Sequence, residues 1–520
     1  MLLSRLYDII IDMRFSNWFR PNPEQASQAG QGCLLQIFTL MVLIVYAREK
    51  KKDLYVGFLD FEKAYDYVNR AEVIRDMMRK GCGKFLTRAV AKMFAKSTYY
   101  PKLDGHNIGD GIETEHGVTQ GRRSSGSLFT FYVSDMHSAF SESNTDDFMD
   151  PVNLAQLADD TSTYAEKIEN LRTKLIDLFR YSSEKYQYPN ISKTLYSHFH
   201  KNPTFEPIDL DGTASIASID MILGYKFLGM LFFPTDDTNY IIEKNIKKRM
   251  MHISKFYAWL EINETTPIDI KLLVWDCCVL CAILYACECW GDMSFLAKYL
   301  LDMEMKALKT ILKVKNGTTN DLVYHELRRP TIMAKIKDRQ YNFFQKITQL
   351  SPEDAIVSSI VSMCQDSSII QYYASLENDN SKRDIEEREK RIHDSTNSMC
   401  IYYNNMNFLQ KSCIYDSMTN DHYRFILTRW RLSNHDLKIE SGRYTRPITP
   451  RDQRTCDTCG VLEDEYHVVF VCPAYNEQRI GHESILSCND ISAFLDCNVT
   501  NIRETASLLH GIEKKRKNAK

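Results

Sequence analysis

The sequence predicts an α+β protein, and three observations carry that expectation. Leu54–Leu59 is a compact apolar run of the length of a buried strand. Asp159-Asp160 lies between two strand-like runs, Val152–Leu157 and Ser162–Tyr164, and reads as the turn of a hairpin. From about Tyr240 to Leu350 the pattern is mainly helical.

The 520 residues allow about two to four domains. Hydrophobic residues make up 44% and charged residues 26%, ordinary globular values that exclude a disordered or collagen-like chain. The formal charge is −3, with 65 Lys+Arg against 68 Asp+Glu, so the chain as a whole is no polycation. Binding to nucleic acid must then come from local patches. Residues 241–350 form one, with 17 Lys/Arg and 12 Asp/Glu.

The 15 scattered cysteines, with no signal-peptide pattern, point to free thiols in a reducing compartment. Leu34–Ala47 and Val279–Ala286 are too short to span a bilayer and are expected as buried helices, so no membrane partner is expected.

Taken in order, the first 50 residues look helical around a polar loop near Pro21–Gln31. The strand Leu54–Leu59 comes next, then a helical stretch Lys63–Lys80 closed by Gly81 and Gly83. Tyr99–Leu103 and Gly111–His116 look like short strands, Ser127–Phe140 and Ile168–Tyr186 like helices, and Ile219–Phe233 like short runs around Gly224 and Gly229. Gln365–Ser398 is charge-rich and expected as a linker or exposed helix. The tail, with Lys514, Lys515, Arg516, Lys517 and Lys520, is expected to be a solvated end.

The chemistry begins with three carboxylates. Asp60 ends the apolar strand, and Asp159 with Asp160 sits at the hairpin turn. Each alone reads most simply as a cap or turn residue. Together, three hard oxygen ligands could hold two Mg²⁺ ions for phosphoryl transfer. Without cations, carboxylates this close would repel one another.

The runs Phe58-Leu59-Asp60-Phe61-Glu62-Lys63-Ala64-Tyr65-Asp66-Tyr67-Val68-Asn69-Arg70, Gly117-Val118-Thr119-Gln120-Gly121 and Gln156-Leu157-Ala158-Asp159-Asp160-Thr161 stand in the order found in reverse transcriptases. They most resemble those of LINE-type (non-LTR) retrotransposons. Asn190-Ile191-Ser192-Lys193-Thr194 resembles the family's lysine motif, and Lys226-Phe227-Leu228-Gly229 its grip hairpin.

The resemblance covers about residues 25–315 in motifs. It implies a right-hand polymerase palm of the reverse-transcriptase type with partial fingers, a helical thumb and a C-terminal zinc-knuckle region. The divisions expected are 1–53 partial fingers, 54–238 palm, 239–350 thumb, 351–450 helical connector with a polar linker, 451–480 knuckle and 481–520 a C-terminal segment with the basic tail.

It further implies roles. Asp60 and Asp159 would bind both catalytic metals, with Asp160 completing the cluster. Tyr65 would lie beneath the nucleotide sugar and disfavour a 2′-hydroxyl. Gln120 and Gly121 would help position template and nucleotide, and Lys193 would approach the triphosphate. Lys244, Lys247, Lys248 and Arg249, in thumb position, would track a primer–template backbone. The partners the resemblance implies are an RNA template, a DNA primer, deoxynucleoside triphosphates and a separate endonuclease-bearing chain. A nuclear location is expected, with a cytoplasmic ribonucleoprotein stage.

There are departures from the family pattern. Leu157 replaces an aromatic residue, and after Arg122, at the family's variable position, Arg123, Ser124, Ser125 and Gly126 stand where a Pro-Leu-Ser-Pro stretch usually lies. Ala29-Gly30-Gln31-Gly32-Cys33 lacks the family's Arg. An N-terminally incomplete element without an endonuclease domain is therefore expected, with weak activity. The two arginines could touch phosphate or disturb packing. The competing expectation is a catalytically inactive nucleic-acid-binding remnant.

Cys456-x2-Cys459-x7-His467-x4-Cys472 has zinc-ligand spacing, with Gly460 at the turn. A structural Zn²⁺ organising a small nucleic-acid-binding surface is expected there. Cys277, Cys278, Cys281, Cys287 and Cys289, in an apolar run between Trp275 and Trp290, are expected in the core.

Overall fold

The structure is a computed structural model, and it describes residues 2–23, 25, 32–95, 98–100, 102–140, 152–353, 355–394, 421–496 and 501–518. The chain divides into two units. The first comprises Met1–Lys247, Ala286–Asp292 and Gln340–Leu376, and the second Lys248–Tyr285, Met293–Arg339 and Glu377–Lys520.

The first unit opens with helices α1 (Leu2–Trp18) and α2 (Gly32–Lys50), followed by strand β1 (Tyr55–Leu59) and helices α3 (Arg70–Arg79) and α4 (Lys84–Phe94). Four two-residue strands come next: β2 (Thr98–Tyr99) pairs with β5 (Ile112–Glu113), enclosing the hairpin of β3 (Lys102–Leu103) and β4 (His106–Asn107). After α5 (Arg123–Tyr132) come β6 (Leu154–Leu157), β7 (Asp160–Ala165), α6 (Ile168–Glu184) and β8 (Leu195–His198).

β6, β7, β1 and β8 form one antiparallel sheet in the order β6-β7-β1-β8. Beyond it lie the short pair β9 (Ile208–Asp209) and β10 (Ser215–Ile216), the hairpin β11 (Tyr225–Phe227) and β12 (Met230–Phe232), and α7 (Thr238–Arg249), which ends just past the unit boundary.

β1 is buried at all five positions, as a strand covered on both faces must be. On one face Gly57 leaves room for α6. A Cβ there would stand 3.1 Å from Leu175 and 3.3 Å from Leu171, tighter than ordinary contact. On the other, Phe58 packs on Tyr225 at 4.9 Å and on Phe227 at 5.1 Å between ring centroids.

α2 is long and apolar enough to cross a membrane by length and composition, yet 67% of its apolar window is buried. Phe38 packs edge-on against Phe343 and Tyr373 of helices from the same unit. The expected core helix is found, three residues longer at its C-terminal end than the apolar run.

Several local expectations shift. The stretch after Asp60 is not helical until Arg70; residues 62–67 are turns, and Asn69 caps α3 by accepting the Glu72 N–H at 3.2 Å. The helix expected over Ser127–Phe140 begins at Arg123 and ends at Tyr132, with a 3₁₀ turn at Met136–Ala139. Much of the Pro21–Gln31 loop lies outside the described residues.

In the second unit the charge-rich stretch is a helix, Asn380–His393, with Arg388 and Ile392 buried. Before it, Ser368–Ser375 of the first unit is also a helix. Within the described part of 365–398 there is no long linker; residues 395–398 lie outside it. The basic tail is helical through Asn518. Arg516 is largely buried there, donating to the Tyr475 hydroxyl at 2.9 Å and to Glu463 at 2.8 Å. Lys520 lies outside the described residues.

The cysteine expectation is corrected. Cys287 and Cys289 are buried, but Cys277, Cys278 and Cys281 are exposed. Trp275–Leu280 is a π-helical stretch with Trp275, Val279 and Leu280 inward. Its wider turn leaves Cys277 and Cys278 on the opposite side.

Candidate active site and metal-ligand clusters

Asp60 follows the Leu59–Thr161 pair of β1 and β7, so it stands opposite Asp160, the first residue of β7. β6 and β7 turn through Ala158 and Asp159, with Ala158 at φ 54°. Asp60 and Asp160 thus share the sheet face that carries Phe58, and Asp159 stands at the tip.

Burial, then the charges of Asp159 and Asp60, push the Asp160 carboxyl up to about 6. Lys193 pairs with this cluster: its Nζ is 3.5 Å from Asp60 Oδ2 and its side chain is 65% exposed. One exposed ammonium contributes little against three carboxylates. The donor set is all hard oxygen and bears an uncompensated negative charge, which fits Mg²⁺ at Asp60, Asp159 and Asp160.

Local contacts hold this arrangement. Asn190 N–H donates to the Asp60 carbonyl at 2.7 Å, and the Asp60 N–H donates to the buried Thr194 hydroxyl at 3.3 Å. The Asn190–Thr194 turn therefore clasps the end of β1 and carries Lys193 to Asp60.

Tyr65 is half-buried and stacks on Phe129, 4.9 Å between centroids and 15° between planes. Burial and then Asp159 hold its phenol above the ordinary value. Gly117 sits at φ 85°, where a Cβ would meet the Asp66 carbonyl oxygen at 2.8 Å. That close approach, with Val118 N–H donating to the Tyr65 carbonyl at 2.8 Å, brings Gln120 and Gly121 beside the Tyr65 loop. Arg70, buried at 6%, donates to the Gly117 carbonyl at 2.7 Å and locks that approach. Gln120 and Gly121 are exposed in the turn before α5.

Arg123 is not aimed at this cluster. Its Nε donates to Asp12 Oδ2 at 2.9 Å, and its N–H to Asp8 Oδ2 at 2.8 Å. Ser124 and Ser127 hydroxyls donate to Asp8 and Asp12 at 2.5 and 2.6 Å. Two α1 carboxylates thus cap the N-terminus of α5, and the unusual Arg-Ser-Ser stretch is their docking partner. Arg122 is exposed.

Sequence reasoning missed two supports. Buried Gln25 donates to Gln156 Oε1 at 3.1 Å and buried Gln36 to the Gln156 carbonyl at 3.0 Å, bracing β6. Tyr225 lies in the field of the carboxylates: burial, then Asp60 and Asp160, hold its phenol well above its ordinary value. The alternation of residues in the grip hairpin was the one available signal for it.

Lys244, Lys247 and Lys248 are exposed on α7, while half-buried Arg249 donates to the Tyr285 carbonyl at 2.9 Å. Lys244 also lies over the Tyr240 ring at 5.1 Å and Lys247 pairs with Glu243 at 2.5 Å.

In the second unit, Cys456, Cys459, His467 and Cys472 bring one ligand atom each within 4.8 Å of one another. Cys456 N–H donates to the Val461 carbonyl at 2.7 Å and Gly460 N–H to the Cys456 carbonyl at 2.8 Å, forming the tight knuckle. His467–Val471 is one π turn, after which Cys472 N–H returns to the His467 carbonyl at 2.7 Å.

The Cys472 sulfur is 3.7 Å from that of Cys456 and 3.8 Å from that of Cys459. Thiolates about 2.3 Å from a tetrahedral zinc stand about 3.8 Å apart. The His467 Nε2 is buried and makes no hydrogen bond, which leaves it available as a ligand atom. Burial raises the Cys456 thiol, but hydrogen bonds from His467 and nearby backbone outweigh it and bring it to about 7. The donor set fits Zn²⁺.

Residues 2–231 match the family described as reverse transcriptase (RNA-dependent DNA polymerase). The chain therefore carries a reverse-transcriptase domain. The family so described consists of RNA-directed DNA polymerases, which are nucleotidyltransferases. No curated protein matches the chain. Among solved structures, telomerase from Candida albicans in complex with the TWJ fragment of telomeric RNA is similar at 11% identity and a TM-score of 0.33, with 74% of this chain and 57% of that chain covered.

Proposed function

We propose that this chain is the reverse transcriptase of a LINE-type (non-LTR) retrotransposon, copying RNA into DNA by two-metal nucleotidyl transfer. The observation that carries the reading is the placement of Asp60 opposite Asp160, beside the hairpin tip at Asp159, with Lys193 at 3.5 Å from Asp60. The primer 3′-hydroxyl oxygen bonds to the α-phosphorus of a deoxynucleoside triphosphate as its proton passes to water, and the bond from that phosphorus to the oxygen bridging to the β-phosphate breaks, releasing pyrophosphate.

Two Mg²⁺ ions held by Asp60, Asp159 and Asp160 would stabilise the charge on the attacking and leaving oxygens. Tyr65, braced on Phe129, lies under the sugar and excludes a 2′-hydroxyl. Gln120 and Gly121 orient template and nucleotide. Lys193, free to leave its exposed pairing, gives a proton to the departing pyrophosphate. Lys244, Lys247, Lys248 and Arg249 follow the backbone of the duplex. A structural Zn²⁺ at Cys456, Cys459, His467 and Cys472 shapes a second nucleic-acid surface. An endonuclease-bearing chain is its partner in insertion, and the nucleus its place of action.

The test is primer extension on RNA and DNA templates with Mg²⁺. Asp60→Asn and Asp159→Asn are expected to lower extension by on the order of a thousand-fold or more, with duplex affinity nearly unchanged. Undiminished extension by both variants overturns the assignment. Duplex binding with no extension by the unaltered chain would identify an inactive remnant instead.

A further inference from the structure

We propose a second transition-metal site, formed by Asp53, His198 and His200 where β1 begins and β8 ends. Asp53 precedes β1 and Asp60 follows it. Seven residues at about 3.4 Å each put the two up to roughly 24 Å apart, so this site is separate from the carboxylates at Asp60, Asp159 and Asp160. It also lies outside the knuckle, in the other unit.

The geometry is specific. One ligand atom from each of the three residues lies within 4.8 Å of the others. His198 Nε2 is 2.9 Å and His200 Nε2 4.0 Å from the same Asp53 oxygen. Nitrogen and oxygen donors at about 2.1 Å from a tetrahedral ion stand about 3.4 Å apart, between those two distances. His198 is fixed: its side chain is 4% exposed, and its ring stacks on Tyr55 at 4.2 Å. His200, two residues on and parallel to it at 5.2 Å, is 40% exposed, so the small closing movement meets solvent on one side and the Asn202 backbone on the other. Asp53 is 48% exposed, which leaves room for water as a further ligand.

A metal-bound imidazole must carry its proton on the other nitrogen, and each ring has an acceptor for it. Thr204 Oγ1 is 3.2 Å from His198 Nδ1, and the Asn202 carbonyl is 3.1 Å from His200 Nδ1. Such outer partners hold ligating histidines in place. The Thr204 N–H, 3.0 Å from His198 Nδ1, favours the opposite tautomer, with Nε2–H donated to Asp53. The Asn202 N–H, 3.1 Å from His200 Nδ1, does the same for that ring, so cation binding shifts the proton of each imidazole between its nitrogens and opens both backbone contacts. Two imidazoles and a carboxylate suit Zn²⁺ or a neighbouring first-row ion rather than Mg²⁺. When bound, the ion clasps the start of β1 to the end of β8.

The experiment is Co²⁺ titration of the full chain, stripped of metal and held in excess Mg²⁺. The unaltered protein is expected to bind one equivalent more than His200→Gln. That equivalent shows visible ligand-field bands without thiolate charge transfer, whereas the knuckle's equivalent shows charge transfer in both proteins. Asp53→Asn, also at an exposed position, is expected to behave as His200→Gln does. Equal stoichiometry in all three folded proteins, or thiolate charge transfer accompanying every bound Co²⁺, overturns the proposal and leaves a carboxylate–histidine hydrogen bond only.

Discussion

Tyr225 packs its ring on Phe58, 4.9 Å between centroids, and so ties the β11–β12 hairpin to the strand that carries Asp60. Its phenol stays protonated because burial and the charges of Asp60 and Asp160 oppose ionisation. Tyr225→Ala is expected to lower stability by about 2–4 kcal/mol, through the lost ring contact, and Tyr225→Phe by less than about 1 kcal/mol. Urea unfolding checks both. Tyr225→Phe should still shift the Mg²⁺ concentration for half-maximal extension a few-fold, since it removes a dipole beside the carboxylates proposed to hold the ions. An unchanged Mg²⁺ requirement would limit Tyr225 to packing.

Tyr65 is held flat on Phe129, so its ring presents a fixed surface rather than a mobile one. Tyr65→Ala is expected to admit ribonucleotides at least about ten-fold more readily relative to deoxynucleotides, the effect of about 1.4 kcal/mol of lost exclusion. Tyr65→Phe should keep the preference. Single-nucleotide incorporation with matched ribo- and deoxynucleotides measures it, and an unchanged ratio in an active Ala variant would make Tyr65 core alone.

Asp160 supplies a pH dependence with a definite sign. Its folded-state pKa is raised to about 6, chiefly by burial and then by Asp159 and Asp60. The folded state therefore binds this proton more tightly than the unfolded state. In metal-free protein its contribution to stability is fully present below the ordinary carboxylate range and is lost as pH rises through about 6. Mg²⁺ competes with that proton, so the rise in Tm on adding Mg²⁺ should be larger at pH 7 than at pH 5. Equal rises at the two pH values would show that Asp160 does not hold the ion.

Asp8 caps α5 from another helix, accepting from the Arg123 N–H and the Ser124 hydroxyl. Asp8→Ala leaves buried donors without a partner and is expected to cost about 1–3 kcal/mol. The nucleotide concentration for half-maximal extension should stay constant if the remaining protein is folded. A large change in that concentration, with stability intact, would place Arg123 at the nucleotide after all.

The elements legible in the sequence are those whose signal is local. Leu54–Leu59 shows its burial by six consecutive apolar or small residues. Asp159 shows its turn by standing between two strand-like runs, and Cys456, Cys459, His467 and Cys472 by short, regular spacing. The first part of Lys63–Lys80 departs from the expected helix because helical composition says nothing about the turns of residues 62–67, which the Tyr188 carbonyl, accepting from Glu62 N–H, and the Gly117 approach hold in place.

The sequence by itself determined which groups the palm strand and its hairpin would carry, because strand periodicity and turn residues act over a few positions. Only the tertiary structure decided that Gln25 and Gln36 brace Gln156, that Arg123 turns to Asp12, that Tyr225 faces the carboxylates, and that Asp53 meets His198 and His200. Each of these joins residues from dozens to well over a hundred positions apart. A hydrogen bond or ring contact between such residues depends on how whole strands and helices pack, and leaves no period, spacing or turn signal in either segment.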